Sequence, residues 1–143
     1  MAEIHEGGCL CGAVRYRVTG DDPKFTAVCH CKFCQKRTGS AFAEAVYFDE
    51  TAVQIVGALK TYEYRTDESG RWIKSEFCPN CGTSVTWTIE AFPGWRAIAQ
   101  GTLDDPNWIK HQLHAWTRSA QAWMVFPPDM QLCETQLGLD EFK

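Results

Sequence analysis

The sequence predicts a mostly β, sandwich-like domain with little helix, formed by residues 1–143 as a single unit. Short segments alternate apolar with polar residues and are rich in aromatic and β-branched side chains, a pattern typical of strands with one buried face. Turn-forming residues separate these segments. A chain of 143 residues, 45% of them hydrophobic, is also long enough to bury a core.

The first predicted strand covers residues 13–18, where Val14, Tyr16 and Val18 alternate with two arginines. The other predicted strands cover 42–48, 53–56, 59–65, 73–77, 85–89, 97–101 and 112–117. Turns are predicted at 20–23, 68–70, 92–94 and 104–107. One short helix is predicted over 32–38. Many short strands with so little helix favour the sandwich-like architecture.

Charge and hydropathy limit the classes of partner and the cellular compartment that the sequence is expected to have. The formal net charge is −4, so the chain lacks the basic character of nucleic-acid binders, and we expect no nucleic-acid partner. No apolar run approaches the roughly 20 residues of a transmembrane helix, which predicts no membrane association. Residues 1–6 have no secretory-signal character, so a cytoplasmic protein is expected.

Eight cysteines in a reducing cytoplasm indicate metal or redox chemistry rather than disulfides. Cys78 and Cys81 form a C-x-x-C zinc knuckle, and Gly82 directly after them permits the tight backbone that such a turn needs. Structural zinc takes four ligands, so a second pair is required, and Cys9 and Cys11 are the best candidates. The sequence therefore predicts a structural zinc site built from two distant pairs.

Cys29, Cys31 and Cys34 remain, in a C-x-C-x-x-C pattern. Three protein ligands with an open fourth position are typical of catalytic zinc, where water or substrate completes the coordination. Spacing alone leaves two alternatives: the trio could join the knuckle at one metal, or it could hold an iron–sulfur cluster. All-thiolate tetrahedral ligation favours zinc over iron. Cys133 stands apart from these clusters and is expected to be a buried or idle thiol.

Several stretches resemble the glutathione-dependent formaldehyde-activating enzyme family, which also includes centromere protein V. The similar stretches are Gly7 to Tyr16, Cys29 to Phe42, Phe77 to Gly82, Gly101 to Asp104, and the late His114 and Trp116. Together they span nearly the whole chain. The resemblance implies a β-rich zinc fold shared with the Rab-exchange chaperones, in agreement with the strand pattern.

The resemblance also implies how the cysteines are divided between two Zn²⁺ ions per chain. It assigns one structural zinc to Cys9, Cys11, Cys78 and Cys81. It assigns a second, substrate-facing zinc to the catalytic residues Cys29, Cys31 and Cys34. The implied activity is that of a carbon–sulfur lyase similar to S-(hydroxymethyl)glutathione synthase. Such an enzyme condenses glutathione, or a related thiol, with formaldehyde or another small electrophile.

Glutathione carries two carboxylates, so its site should offer cations. Lys32, Lys36 and Arg37 lie beside the trio and are the candidate substrate-binding residues. Arg37 is the best of them, because a planar guanidinium matches the geometry of a carboxylate. The alternative is that each is a solvated surface charge. His30 lies between two ligands in an extended segment, so alternation should point its ring away from the metal, into a supporting or core role.

His114 and Trp116 are expected on one face of the last predicted strand, where they could line the substrate pocket or pack in the core. A different class of function is a zinc-stabilised protein-binding module with no catalytic activity. Such a module would not need an open metal position, and a chromosomal partner would favour basic tails, which this sequence lacks.

Overall fold

The regular structure of the chain is almost entirely β in the computed structural model, which describes residues 3–67 and 69–135. The strands are β1 (Ile4–Gly8), β2 (Arg15–Thr19), β3 (Phe25–Cys29), β4 (Ala43–Asp49), β5 (Val53–Val56), β6 (Lys60–Arg65), β7 (Trp72–Phe77), β8 (Ser84–Ile89), β9 (Trp95–Ala99), β10 (Leu113–Ala115) and β11 (Gln131–Leu132). One α-helix, α1, covers Lys32–Thr38 in this part of the chain. None of the helices found there is long and apolar enough to span a bilayer.

The strands form two sheets, which confirms the sandwich-like prediction. The small sheet is antiparallel, in the order β1-β2-β5, and the large one has the order β11-β10-β3-β4-β9-β8-β7-β6. Pairing in the large sheet is antiparallel except around β10, which runs parallel to both β3 and β11. The parallel pairing aligns Ala115 of β10 with Cys29 of β3.

A first hydrophobic cluster lies between the two sheets. Tyr16 and Val18 of β2 face Val46 of β4 and Ile98 of β9, and all four are at most 2% exposed. Alternation accounts for this cluster, because every second side chain of each strand points to the same face. The predicted inward face of the first strand is therefore confirmed.

A second hydrophobic cluster covers the opposite face of the large sheet. It includes Phe25 of β3 and, from strands that also contribute to the first cluster, Tyr47 of β4 and Trp87 of β8. Helix α1 packs over this face, since the Arg37 side chain lies on the ring of Trp87. One face of the large sheet thus packs against the small sheet, and the other face carries helix α1.

Three strands differ from the sequence prediction. Strand β3 was not predicted because it does not alternate: four of its five residues are buried, as in a strand covered on both faces. Strand β1 ends in two glycines, which carry no strand signal. The small sheet needs glycine there, because a Cβ on Gly7 would lie 2.3 Å from the Tyr16 hydroxyl. The two-residue strand β11 is too short to show a period.

Two predicted strands extend too far at their ends. Strand β9 stops at Ala99, and residues 100–102 form a 3₁₀ turn instead. Strand β10 stops at Ala115, because Trp116 has a left-handed backbone with φ of 58°. In the turn predicted at 68–70, Gly70 has φ of 71°, and Glu68 lies outside the described residues.

Candidate active site

The structure brings Cys9, Cys11, Cys78 and Cys81 together, with all four sulfur atoms within 4.8 Å of one another. The sulfur of Cys11 lies 3.6 Å from that of Cys9 and 3.7 Å from that of Cys78. A tetrahedron with Zn–S bonds of 2.3 Å has edges of about 3.8 Å. The donor set and its spacing therefore fit a zinc ion.

Hydrogen-bond donors surround this first cluster. The backbone N–H of Val14 donates to the Cys9 sulfur at 3.2 Å, and the N–H of Cys81 donates to the Cys78 sulfur at 3.5 Å. The Thr83 hydroxyl lies 3.1 Å from the Cys81 sulfur and lowers the pKa of that thiol to about 5. Donors of this kind stabilise thiolates, the form in which cysteine binds metals.

Cys29, Cys31 and Cys34 form a second cluster, with their sulfurs also within 4.8 Å of one another. Cys29 is the last residue of β3, and Cys31 caps helix α1, its sulfur accepting a hydrogen bond from the Cys34 N–H at 3.3 Å. Hydrogen bonds from the Cys29 and Cys34 thiols lower the pKa of Cys31 to about 3. The strand end and the first helical turn thus place three sulfurs at one point, as a tridentate metal site requires.

Side-chain hydrogen bonds fix the loop that carries this trio. The side chain of Gln35 donates to the carbonyl of His30 at 2.8 Å and to the carbonyl of Ser119 at 2.9 Å. His30 is fully buried, and its Nε2 lies 2.8 Å from Nδ1 of His114. Its ring packs against a neighbouring histidine instead of joining the cysteine cluster, as alternation along the strand led us to expect.

A cavity of about 710 Å³ opens onto the trio, and all three of its cysteines line it. No cysteine of the first cluster does. Among the residues that the structure describes, the charged lining of the cavity consists of four cations and a single carboxylate, that of Asp67. The cations are Lys32, Arg37, Arg71 and Arg118. The cavity is therefore locally positive in a protein whose formal net charge is −4.

Arg37 reaches into this cavity from α1. Its guanidinium lies over the ring of Trp87, with Cζ 4.2 Å from the centroid, and donates to the Ser84 hydroxyl at 2.8 Å. The buried Nε of Arg37 has no hydrogen-bond partner among the described residues. Lys32 also lines the cavity, whereas Lys36 is exposed and is not part of the lining.

The structure separates His114 from Trp116, which were expected on one strand face. The left-handed conformation of Trp116 ends the strand and turns its side chain into the cavity lining. His114 keeps the strand direction and is buried against His30. A left-handed backbone is rare for so bulky a residue, and nothing in the sequence signalled it.

Several lining residues were beyond sequence reasoning. Arg71 and Arg118 are far from the trio along the chain, and only the fold brings them to the cavity. Phe33 of α1 stacks on Tyr64 of β6, with ring centroids 4.6 Å apart, so that the helix and the edge strand together form one side of the cavity. Phe33 lies inside the predicted helix, but its partner carries no recognisable pattern.

Comparison with known proteins shows which family the chain resembles. The profile of the family described as glutathione-dependent formaldehyde-activating enzyme matches residues 4–119. A Halomonas elongata protein, provisionally named a glutathione-dependent formaldehyde-activating enzyme, is 32% identical, over 95% of this chain and 98% of its own length. A Schizosaccharomyces pombe protein described as an uncharacterized lyase is 28% identical over 57% of this chain and 55% of its own.

One solved structure shows the same fold. The crystal structure of a Rhodobacter sphaeroides protein, determined in a structural genomics programme, superposes with a TM-score of 0.54 at 26% sequence identity. The superposition covers 69% of this chain and 87% of that one.

Proposed function

Because this chain belongs to the glutathione-dependent formaldehyde-activating enzyme family, we propose that it is a zinc-dependent carbon–sulfur lyase, acting as one domain over residues 1–143. Its reaction would join glutathione, or a related thiol, to formaldehyde or another small electrophile. The observation that carries the proposal is the convergence of three cysteine sulfurs on the wall of a cavity lined by four cations.

The two cysteine clusters would have different tasks. Cys9 and Cys78 are buried in the hydrophobic cluster between the sheets, and with Cys11 and Cys81 they would hold a structural zinc. Four protein sulfurs complete a tetrahedron and leave no position for substrate. The trio of Cys29, Cys31 and Cys34 supplies only three ligands and faces the cavity, so it would hold the catalytic zinc.

A free thiol with a pKa of about 8.5 is only about 3% thiolate at pH 7. Zinc bound at the trio would supply the missing activation, by keeping the substrate sulfur deprotonated or by polarising the aldehyde oxygen. In the reaction the sulfur–carbon bond forms, the thiol loses its proton, and the carbonyl oxygen gains one. The products balance without an oxidant or a reductant.

The residues of the chain would bind and orient the thiol. Arg37 and Lys32 line the cavity beside the trio, and we assign them to the carboxylates of glutathione. Lys36 would add only long-range attraction, since its side chain is exposed. Holding thiol and aldehyde side by side would contribute more to the rate than activating the thiol, because it removes the entropic cost of bringing two molecules together.

The proposed thiol chemistry also favours a cytoplasmic location. All eight cysteines are free thiols, and the proposed reaction consumes a reduced thiol. A reducing cytoplasm would keep the seven ligands and the substrate in their reactive form.

Native mass spectrometry with and without glutathione tests the proposal. Two zinc ions, with a glutathione adduct that disappears in Cys31→Ser, are the expected result. Cys133→Ser is the matched control, because Cys133 belongs to neither cluster, and it should keep both metals and the adduct. One zinc and no adduct, in freshly reduced protein, would refute the enzyme and favour the protein-binding module.

Kinetics provide a second test. Thiols and aldehydes also combine without an enzyme, so the initial rate must rise in proportion to protein concentration. A rate that does not depend on the zinc-loaded protein would contradict the proposal even if glutathione binds.

A further inference from the structure

We infer, building on the proposed function, that the electrophile of this site is an aldehyde with an apolar, planar substituent, such as an aryl group, rather than formaldehyde alone. The inference rests on the part of the cavity that lies beyond the cysteine trio. That part is formed by the face of the large sheet that carries the second hydrophobic cluster.

A floor of alanines runs along the sheet from the trio. Strand β3 pairs with β4 so that Cys29 is opposite Ala43 and Ala27 is opposite Ala45, and β10 places Ala115 beside Cys29. Directly paired residues lie on the same face of a sheet, and all five of these side chains line the cavity. Methyl side chains leave a shallow trough where larger residues would fill the space.

Aromatic rings close the far end of this trough. Phe25 pairs with Tyr47 two residues further along the same strands, and their ring centroids are 6.0 Å apart. Phe92 packs against both, with centroids 6.3 Å from Phe25 and 5.6 Å from Tyr47. Cys29 follows Phe25 by four residue steps along β3, a distance of about 14 Å. A flat group attached to a reacting carbon at the trio would therefore extend toward the aromatic rings.

The chemistry of the trough matches an apolar group and not a polar one. Phe25, Ala27, Ala45 and Phe92 line the cavity, yet each is only 4–6% exposed, so the trough reaches into the hydrophobic cluster. These side chains offer a ligand no hydrogen bond, and a polar group placed there would lose its hydration without compensation. An aryl or alkyl group would instead gain from leaving water.

We assign the trough to the electrophile, because the groups that would bind the thiol substrate lie elsewhere in the cavity. The four lining cations lie on α1, before β7 and in the 3₁₀ turn after β10, that is, on elements other than the strands of the alanine floor. They match the two carboxylates of glutathione. Formaldehyde has two heavy atoms and needs little more room than one or two water molecules of about 30 Å³ each. The cavity of about 710 Å³ also has to hold glutathione, so the room for a larger aldehyde is the trough, which the cations do not line.

The bond-forming step is the same for a larger aldehyde. The thiol sulfur bonds to the carbonyl carbon, the C=O π electrons move to the oxygen, and the oxygen takes up one proton while the thiol loses one. The product is a hemithioacetal. No further reactant is needed.

Rate measurements on the zinc-loaded full chain with glutathione and three aldehydes test the inference. Formaldehyde, glyceraldehyde as a polar substituent, and phenylacetaldehyde as an aryl substituent are followed by exchange NMR. We expect kcat/KM for phenylacetaldehyde to exceed that for glyceraldehyde by about tenfold or more, the range that apolar pockets give. Acceleration with formaldehyde, but no preference for phenylacetaldehyde, would overturn the inference and leave the proposed function intact. No acceleration with any aldehyde would overturn both.

Variants locate the effect in the trough. Ala45→Leu fills the floor and should lower the ratio of kcat/KM for phenylacetaldehyde over glyceraldehyde by about tenfold. Ala45→Ser keeps the volume but adds a hydroxyl, and it should lower the same ratio less, which covers the case in which the leucine disturbs folding. Ala58→Leu, at an exposed position outside the lining, is the matched control and should leave the ratio unchanged. An unchanged ratio in both Ala45 variants would place the aryl group elsewhere and contradict the inference.

Discussion

The guanidinium of Arg37 lies over the indole of Trp87, with Cζ 4.2 Å from the ring centroid, and both residues line the cavity onto which the cysteine trio opens. The stack and a 2.8 Å hydrogen bond to Ser84 fix the orientation of the fork. An arginine fixed in this way loses little freedom on binding a carboxylate.

We predict that Arg37→Ala weakens glutathione binding by about tenfold to a hundredfold, the range for a hydrogen bond to a charged group. Arg37→Lys should recover only part of this loss, because lysine keeps the charge but not the planar fork. Isothermal titration calorimetry measures both. Lys110→Ala removes an exposed cation outside the cavity and should bind as the wild type does. Wild-type affinity in Arg37→Ala would exclude Arg37 from the site.

The two cysteine clusters should respond differently to the loss of one sulfur. Cys78 is fully buried in the cluster between the sheets, so Cys78→Ser should lose one metal and several kcal/mol of stability. Cys31→Ser, at the cavity wall, should lose the other metal with a smaller change in the melting temperature. Metal content and thermal unfolding of the same samples check this. Equal destabilisation by both substitutions would contradict the division of roles.

Arg15 and Asp104 form a bidentate ion pair, with N–O distances of 3.1 and 2.5 Å. The hydrogen bond from Arg15 lowers the pKa of Asp104 below its ordinary value of 3.8. A carboxylate with a lowered folded-state pKa stabilises the protein above about pH 4, and this contribution disappears as the pH falls through the folded pKa. Both side chains are about half exposed, so solvent screens the pair and we expect its contribution to stability to be small.

Asp104→Asn should therefore be less stable than the wild type at pH 7, and the difference should shrink as the pH falls below the ordinary carboxyl pKa of 3.8. Urea unfolding at several pH values measures the difference directly, which cancels the acid sensitivity of the thiolates. High salt should reduce it at pH 7. A difference that persists unchanged at pH 2.5 would show that the ion pair is not its cause.

The buried hydroxyl of Tyr16 bonds to that of Thr102 at 2.7 Å, and Thr102 in turn donates to the carbonyl of Ala99. Tyr16 must therefore be the donor, and burial raises the pKa of its hydroxyl, which keeps the proton in place. Tyr16→Phe removes one donor and should cost about 1 kcal/mol. Thr102→Val leaves the tyrosine hydroxyl and the Ala99 carbonyl without this partner, so it should cost about 2 kcal/mol. Chemical unfolding that ranks the two in the opposite order would contradict this direction of donation.

Local patterns in the sequence were enough to predict the elements that depend on them. The predicted helix and α1 have the same bounds, because Cys31 caps its start and Gly39, with φ of 66°, ends it. Alternation predicted the inward face of β2 and the inward ring of His30. Ligand spacing left the partition of the cysteines open, and the family resemblance predicted the two groups that the structure brings together.

Long-range pairing could not be predicted in the same way. Strand β3 lacks a period because it is buried on both sides, and its parallel partner β10 follows more than 80 residues later. The cations Arg71 and Arg118 reach the cavity only through this pairing and the position of β7. The alanine floor has the same origin, since single alanines in separate strands carry no signal until the register aligns them.

The separation of the two cysteine clusters along the chain has a consequence for the order in which they can form during synthesis. Cys29, Cys31 and Cys34 lie within six residues of one another, so all three are synthesised within about a second at roughly 5–20 residues per second. Cys9 and Cys11 must wait for Cys81, which follows about 4–14 seconds later at the same speed. All three sulfurs of the trio are therefore available to a cation while most of the chain is still on the ribosome, whereas the four sulfurs of the other cluster are not.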